Sequence, residues 1–157
     1  MKTKFTNYHQ LNLIFVIVLI IGLLITSCSS GKKKKKSPDY SPITVLKLAP
    51  SSNNPRNSEG DFITLKDGRI LFVYSHYTSG SGGDHDPAFL AGRYSEDGGR
   101  TWTSEDEVII ENEGGMNVMS VSLLRLQNGD IAFFYLKKNS TEDCIPMMRI
   151  SRDEAKS

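Results

Sequence analysis

Two thirteen-residue segments, Phe62 to Tyr74 and Leu123 to Tyr135, align without a gap at a spacing of 61 residues. Each reads apolar run, polar dipeptide, apolar run. The dipeptides are Asp67-Gly68 and Asn128-Gly129, the pairs that favour a type I′ turn, so each segment is expected to be a β-hairpin. A second match follows. Arg93-Tyr94-Ser95-Glu96-Asp97 recurs as Arg149-Ile150-Ser151-Arg152-Asp153 at a spacing of 56, with the five-residue difference absorbed by the loop around Gly80 to Asp86. A unit of this length with about four short strands is too small to bury both faces of its sheet alone, so it must stack on its neighbours. This periodicity is the signature of β-propeller blades.

From Pro42 onward short β runs alternate with Gly, Asn, Asp and Ser, and no window carries a helical period. The expected class is all-β, with four-stranded blades. Apolar residues occupy both strand faces, Leu71 and Val73 alternating with Ile70 and Phe72, which suits a sheet sandwiched between two others. Propellers close with about four to eight blades, whereas about two are expected here, over residues 42–157. The expectation is therefore an amino-terminal piece of a longer protein.

The best-defined turn is Ser95-Glu96-Asp97-Gly98-Gly99-Arg100-Thr101-Trp102, between the apolar runs Phe89-Leu90-Ala91 and Val108-Ile109-Ile110. Asp caps nearby backbone N–H groups, Gly-Gly tolerates positive φ, and Trp offers a large packing surface. The pattern S-x-D-x-G-x-T-W resembles the Asp box of the sialidase (neuraminidase) superfamily, a six-bladed propeller family, and matches at every defined position. In that family the box lies at the rim away from the active site, which implies a structural role for Ser95, Asp97, Gly99, Thr101 and Trp102. A looser copy begins at Ser151.

The resemblance covers about Arg56 to Ser157 and implies an exo-α-sialidase-like glycoside hydrolase acting on terminal acidic sugars of glycans. Sialidases hold the substrate carboxylate with three arginines and use an Asp acid/base and a Tyr nucleophile paired with Glu. The acid/base loop corresponds here to Ser81-Gly82-Gly83-Asp84-His85-Asp86-Pro87. Asp84 is the first candidate and Asp86 the second, because the chemistry needs a carboxyl on a loop whose pKa can rise as substrate excludes water. The family's first arginine opens the innermost strand in a pattern like R-I-P-x-L. At that position stands Ser58, and Arg56 lies two residues earlier, so Arg56 reaches the place only if the strand start is bulged or shifted. A guanidinium forks onto a carboxylate through two parallel hydrogen bonds. Glu59, Asn117 and Ser120 begin innermost strands and are expected to face the pocket, while Arg93 and Arg149, equivalent in the two units, are expected to be structural. The departure from R-I-P keeps two alternatives open: a propeller glycosidase or polysaccharide lyase of another specificity, and a non-catalytic glycan-binding lipoprotein. His76, Asp84, His85 and Asp86 match no zinc or calcium spacing, so neither metal nor cofactor is expected.

The first forty residues read differently. Lys2 and Lys4 precede thirteen uninterrupted apolar residues, Leu13 to Ile25. That is short of the ~20 a spanning helix needs and suits a secretory signal. Ile25-Thr26-Ser27-Cys28 resembles a bacterial lipobox, implying a signal peptide over 1–27, a lipid on Cys28 and residence in the bacterial cell envelope. Lys32 to Lys36 and the Ser/Pro residues after them make 28–41 a tether. Cys144 is then a lone thiol, expected to be half-buried and unreactive. From Ser37 onward 12 Lys and Arg face 18 Asp and Glu, which excludes nucleic acid as a natural partner. The expected partners are a glycan substrate and the membrane. Cys28→Ser should abolish metabolic lipid labelling and move the protein from the membrane to the soluble fraction; labelling that survives the substitution would contradict the lipobox reading.

Overall fold

The computed structural model describes residues 41–157, so the signal segment, Cys28 and the lysine tether lie outside the described residues. Among the described residues there is no helix, and all regular structure is β. Strands β1 (Arg56–Thr64), β2 (Ile70–Tyr77), β3 (Ala88–Ser95) and β4 (Glu107–Ile110) form an antiparallel meander in chain order. Strands β5 (Asn117–Arg125), β6 (Ile131–Lys138) and β7 (Cys144–Ser151) form a second, three-stranded meander.

The two hairpins superpose in register, Thr64 opposite Ile70 and Arg125 opposite Ile131. Their turns are not type I′. Gly68 donates its N–H to Leu65 O at 3.0 Å, and Leu65 donates to Arg69 O at 2.8 Å, leaving a three-residue loop. Only Gly68 takes a positive φ there, 89°, and Asp67 does not. The result is a type I turn closed by a left-handed glycine, the three-residue hairpin loop. Asp67 favours it because its Oδ1 accepts the Arg69 N–H at 3.0 Å. Leu126, Gly129 and Asp130 repeat this pattern, with Gly129 at 91°.

Alternation along the strands gives each sheet two faces, named here by one residue each. On the first sheet Ile63, Leu71, Val73 and Leu90 share the Val73 face, and Phe62, Phe72 and Tyr74 the opposite Phe72 face. On the second sheet Leu123, Phe133 and Tyr135 share the Phe133 face, and Leu124 and Phe134 the Phe134 face, joined by Met148. The Val73 face packs on the Phe133 face, and together they form the core. By sequence spacing Phe133 is the counterpart of Phe72, so the sheets stack head to tail, one face type meeting the other. Each fully buried side chain of this kind contributes about 1.5–3 kcal/mol.

The other two faces turn outward. Leu124 is 53% exposed and Met148 58%. On the first sheet Phe62 stacks on Phe72 at 4.3 Å between ring centroids and stays 54% exposed, while residues 43–48 cross the same face above a cavity of about 620 Å³. Trp102 is half-buried here, tilted against Phe62 at 5.7 Å. It therefore packs on the outward face of its own sheet. Cys144, expected half-buried, is exposed at the start of β7.

The turn after β3 forms the network its residue types imply. Asp97 Oδ1 accepts the N–H groups of Arg100 and Thr101, both at 2.9 Å, Oδ2 accepts the Thr101 hydroxyl at 2.7 Å, and Ser95 Oγ accepts the Gly99 N–H at 2.8 Å. The looser copy after β7 builds the same network around Asp153, through Lys156, Ser157 and Ser151. Glu154 and Ala155 take the two glycine places at φ of 63° and 62°, a strained conformation for residues with a Cβ. Glu154 has a second task. Its carboxylate accepts two hydrogen bonds from Arg125, at 2.8 and 2.9 Å, and one from the Lys66 N–H at 2.8 Å, tying the first hairpin to the second sheet.

These hydrogen bonds, from the Thr101 backbone first for Asp97 and from the Ser157 hydroxyl first for Asp153, hold both carboxyls at about 2. Arg125 does the same for Glu154. Unfolded carboxyls titrate near ~4, so the stability these groups contribute is complete above that pH and lost as pH falls towards about 2. The melting temperature should thus be level from about pH 7 to 5 and drop below about 4. Asp97→Ala should lower the plateau and make the drop shallower; parallel curves for the two proteins would contradict this role.

Candidate functional site

Strand β1 is irregular between Ser58 and Asp61, and β5 at the equivalent place between Met119 and Ser122. Each irregularity centres on a non-glycine residue at positive φ, Glu59 at 54° and Ser120 at 62°. Such conformations cost of order 1–3 kcal/mol and persist where the surroundings over-determine them. Here the extra residue redirects both side chains so that they meet. Glu59 Oε2 accepts the hydroxyls of Ser120 at 3.3 Å and Ser75 at 3.4 Å, and the Ser120 N–H donates to Ser75 Oγ at 3.1 Å.

Arg56 opens β1 opposite Tyr77, ahead of this irregularity. Its guanidinium lies 4.6 Å from the Tyr77 ring centroid. Nε donates to Ser58 Oγ at 2.9 Å, Nη1 to Gly82 O at 3.1 Å, and Nη2 to Glu59 Oε1 at 3.2 Å. Nη1 also donates to Asp84 Oδ1 at 2.6 Å. Arg56, Glu59 and Asp84 thus form one cluster at the end of the first sheet. The Arg56 hydrogen bond, followed by its charge, holds the Asp84 carboxyl below the ordinary carboxylate range, with Lys138 and His85 adding to the effect. Asp84, paired with Arg56 and with its side chain 61% exposed, is therefore ionised here. Tyr77 beneath is pushed up to about 12 by burial and the charge of Glu59, so its hydroxyl is neutral.

The other candidates hold the loop. Asp86 Oδ2 accepts the N–H of Ser81 at 2.8 Å and of Gly83 at 2.9 Å, and the Ser81 hydroxyl at 3.1 Å. These bonds, with Gly83 first, lower its pKa and make it the internal cap of the loop. Asn117, expected to face the pocket, is 0% exposed. Its Nδ2 donates to Asp84 O at 3.1 Å and Asp86 O at 2.9 Å, so it supports the loop from the second sheet. Lys138, only 7% exposed, donates from Nζ to Asp84 O at 3.1 Å. No sequence motif pointed to Lys138. It is the 61-residue counterpart of Tyr77, as Asn117 is of Arg56 and Ser120 of Glu59. The units differ in chemistry at the positions that build this cluster, and that divergence was the readable signal.

Arg93 and Arg149 lie elsewhere. Arg93 Nε donates to Asp106 Oδ1 at 2.6 Å, and Asp106 also accepts the Tyr74 hydroxyl at 2.5 Å and lies 2.7 Å from His76 Nδ1. Arg149 repeats the arrangement, donating to Glu113 Oε2 at 2.6 Å, while Tyr135 donates to Glu113 Oε1 at 2.5 Å. Each cluster braces a strand pair against a loop, Asp106 from the β3–β4 loop that follows its pair and Glu113 from the β4–β5 loop that precedes its pair. Among the described residues no three His, Cys, Asp or Glu side chains gather as metal ligands would.

No family model matches the sequence, and no curated protein matches it. Among solved structures, a protein of unknown function from Dyadobacter fermentans DSM 18053 is similar at a TM-score of 0.58 and 19% identity, over 70% of this chain. The match spans 36% of that protein's length. The likeness is one of fold.

Removing the Asn117 amide leaves the Asp86 carbonyl without its donor from the second sheet and the Asp84 carbonyl with Lys138 alone. Asn117→Ala should cost about 1–3 kcal/mol in denaturant unfolding and speed proteolysis or hydrogen exchange within residues 80–87. Unchanged exchange in that loop would show that the amide does not hold it.

Proposed function

We propose that residues 42–157 are two successive blades of a sialidase-like β-propeller, and that the cluster at their junction belongs to an exo-glycosidase for terminal acidic sugars. Arg56 is the carboxylate clamp and Asp84 the acid/base. The observation that carries this reading is the convergence of the two residues, 2.6 Å apart, at the start of β1. The head-to-tail stacking favours the propeller, since an interface joining unlike faces repeats until it closes, and both outward faces remain apolar. The nucleophile is then supplied by further blades. In this reading the protein acts in the bacterial cell envelope, tethered by a lipid on Cys28, a proposal that rests on the lipobox-like sequence alone.

In the free site Asp84 is an anion and cannot donate a proton. Substrate binding must raise its pKa by excluding water and by displacing its carboxylate from Arg56. The ionised Asp84 favours a second reading, a propeller that binds acidic glycans without cleaving them, and the absent R-I-P pattern leaves a glycosidase or lyase of other specificity as a variant of the first.

The complete protein separates these. Asp84→Ala should slow cleavage of a sialyl-lactose linkage by about 10²–10⁴ while sparing an activated aryl sialoside, whose leaving group departs unprotonated. Equal small losses on both substrates would remove Asp84 from the chemistry, and no turnover of either by the unsubstituted protein would favour the binding reading.

A further inference from the structure

We propose that the Arg56–Asp84 ion pair is a latch that occupies the carboxylate site in the absence of ligand, so that an acidic sugar binds by taking the place of the Asp84 carboxylate. The inference rests on the reading of Arg56 as a carboxylate clamp. It goes further in making Asp84 an internal competitor for the same guanidinium.

The geometry separates what holds Arg56 from what blocks it. Ser58 Oγ, Gly82 O, Glu59 Oε1 and the Tyr77 ring fix the guanidinium through β1, β2 and the loop backbone. The remaining hydrogen bond goes to Asp84 Oδ1, a carboxylate side chain facing solvent. The loop does not depend on that contact. Asn117 and Lys138 hold the main-chain carbonyl of Asp84, and Asp86 caps Ser81 and Gly83, so rotation of the Asp84 side chain leaves these anchors in place. A ligand carboxylate presents an oxygen to the same Nη1 donor, and the exchange conserves charge at the guanidinium.

Two consequences follow from the exchange. A neutral sugar cannot replace Asp84 and meets a closed site, which gives selectivity for an anion without any further contact. The displaced Asp84 loses the hydrogen bond that chiefly depresses its pKa, so its carboxyl returns towards the ordinary range beside the newly bound sugar. Binding an acidic substrate thus prepares the acid, and binding a neutral one does not.

The competitor lowers the apparent affinity by the fraction of molecules in which the latch is shut. For an exposed ion pair that factor is about two- to fivefold. The test is an NMR titration of the full chain with free sialic acid and with its methyl ester, comparing the unsubstituted protein, Asp84→Asn, Asp84→Ser and Arg56→Lys. The latch predicts that both Asp84 variants bind the acid about two- to fivefold more tightly, with no gain for the ester, and that Arg56→Lys weakens the acid selectively. Acid affinity that is equal or lower in a folded Asp84 variant, while Arg56→Lys still weakens it, overturns the latch and leaves the clamp standing. Acid and ester binding alike, or neither binding any variant, overturns the clamp and the latch with it.

Discussion

Everything described here depends on the burial of the Val73 face against the Phe133 face. Ile63, Leu71, Val73 and Leu90 on one side and Phe133 and Tyr135 on the other are all buried, and no other pair of faces in residues 41–157 is covered so completely. An antiparallel meander of three or four strands has little reason to persist in water without such a cover, because one apolar face would remain wet. The contact also brings the ends of β1 and β5 side by side. Asp61 accepts the Leu123 N–H at 2.8 Å, and Arg125 donates to Thr64 O at 2.8 Å, so polar bonds between the sheets run beside the apolar core.

The candidate site is a product of that junction. Arg56, Glu59 and Asp84 come from the first sheet and its loop, but the supports beneath them, Asn117, Lys138 and Ser120, come from the second. Two left-handed residues, Glu59 and Ser120, lie where the sheets meet. Local strain of this kind is sustained only by surrounding packing, and here it turns side chains towards a common point. The same economy operates at the far end of the hairpin, where Glu154 is at once a strained turn residue and the carboxylate that links Lys66 and Arg125.

Much of the architecture was legible in the sequence because it repeats. The 61-residue spacing located both hairpins, and the Ser-x-Asp pattern located two turns whose hydrogen bonds prove equivalent even where Glu154 and Ala155 replace glycines. What was not legible depended on geometry that a period does not encode. Asp67-Gly68 suggests a two-residue turn, yet the Asp67 side chain captures the Arg69 N–H and stabilises a three-residue one. Trp102 was legible as a large packing surface, but which sheet face it covers was not. Asn117 and Lys138 gave no motif because a supporting amide or ammonium is recognised only by the carbonyls it reaches across space. Arg56 was two positions from its expected place, and its pairing with Asp84 became visible only in the fold.

The most direct test of the account is whether the two sheets exist apart from each other. Trp102, the single tryptophan, reports on the first sheet, and a fluorophore on the exposed Cys144 reports on the second in a Cys28→Ser background. If mutual burial holds both sheets, denaturant unfolding followed by the two probes gives coincident transitions with one midpoint and one slope. Separate midpoints, with one sheet persisting after the other has unfolded, would contradict the claim that their junction creates both the fold and the site.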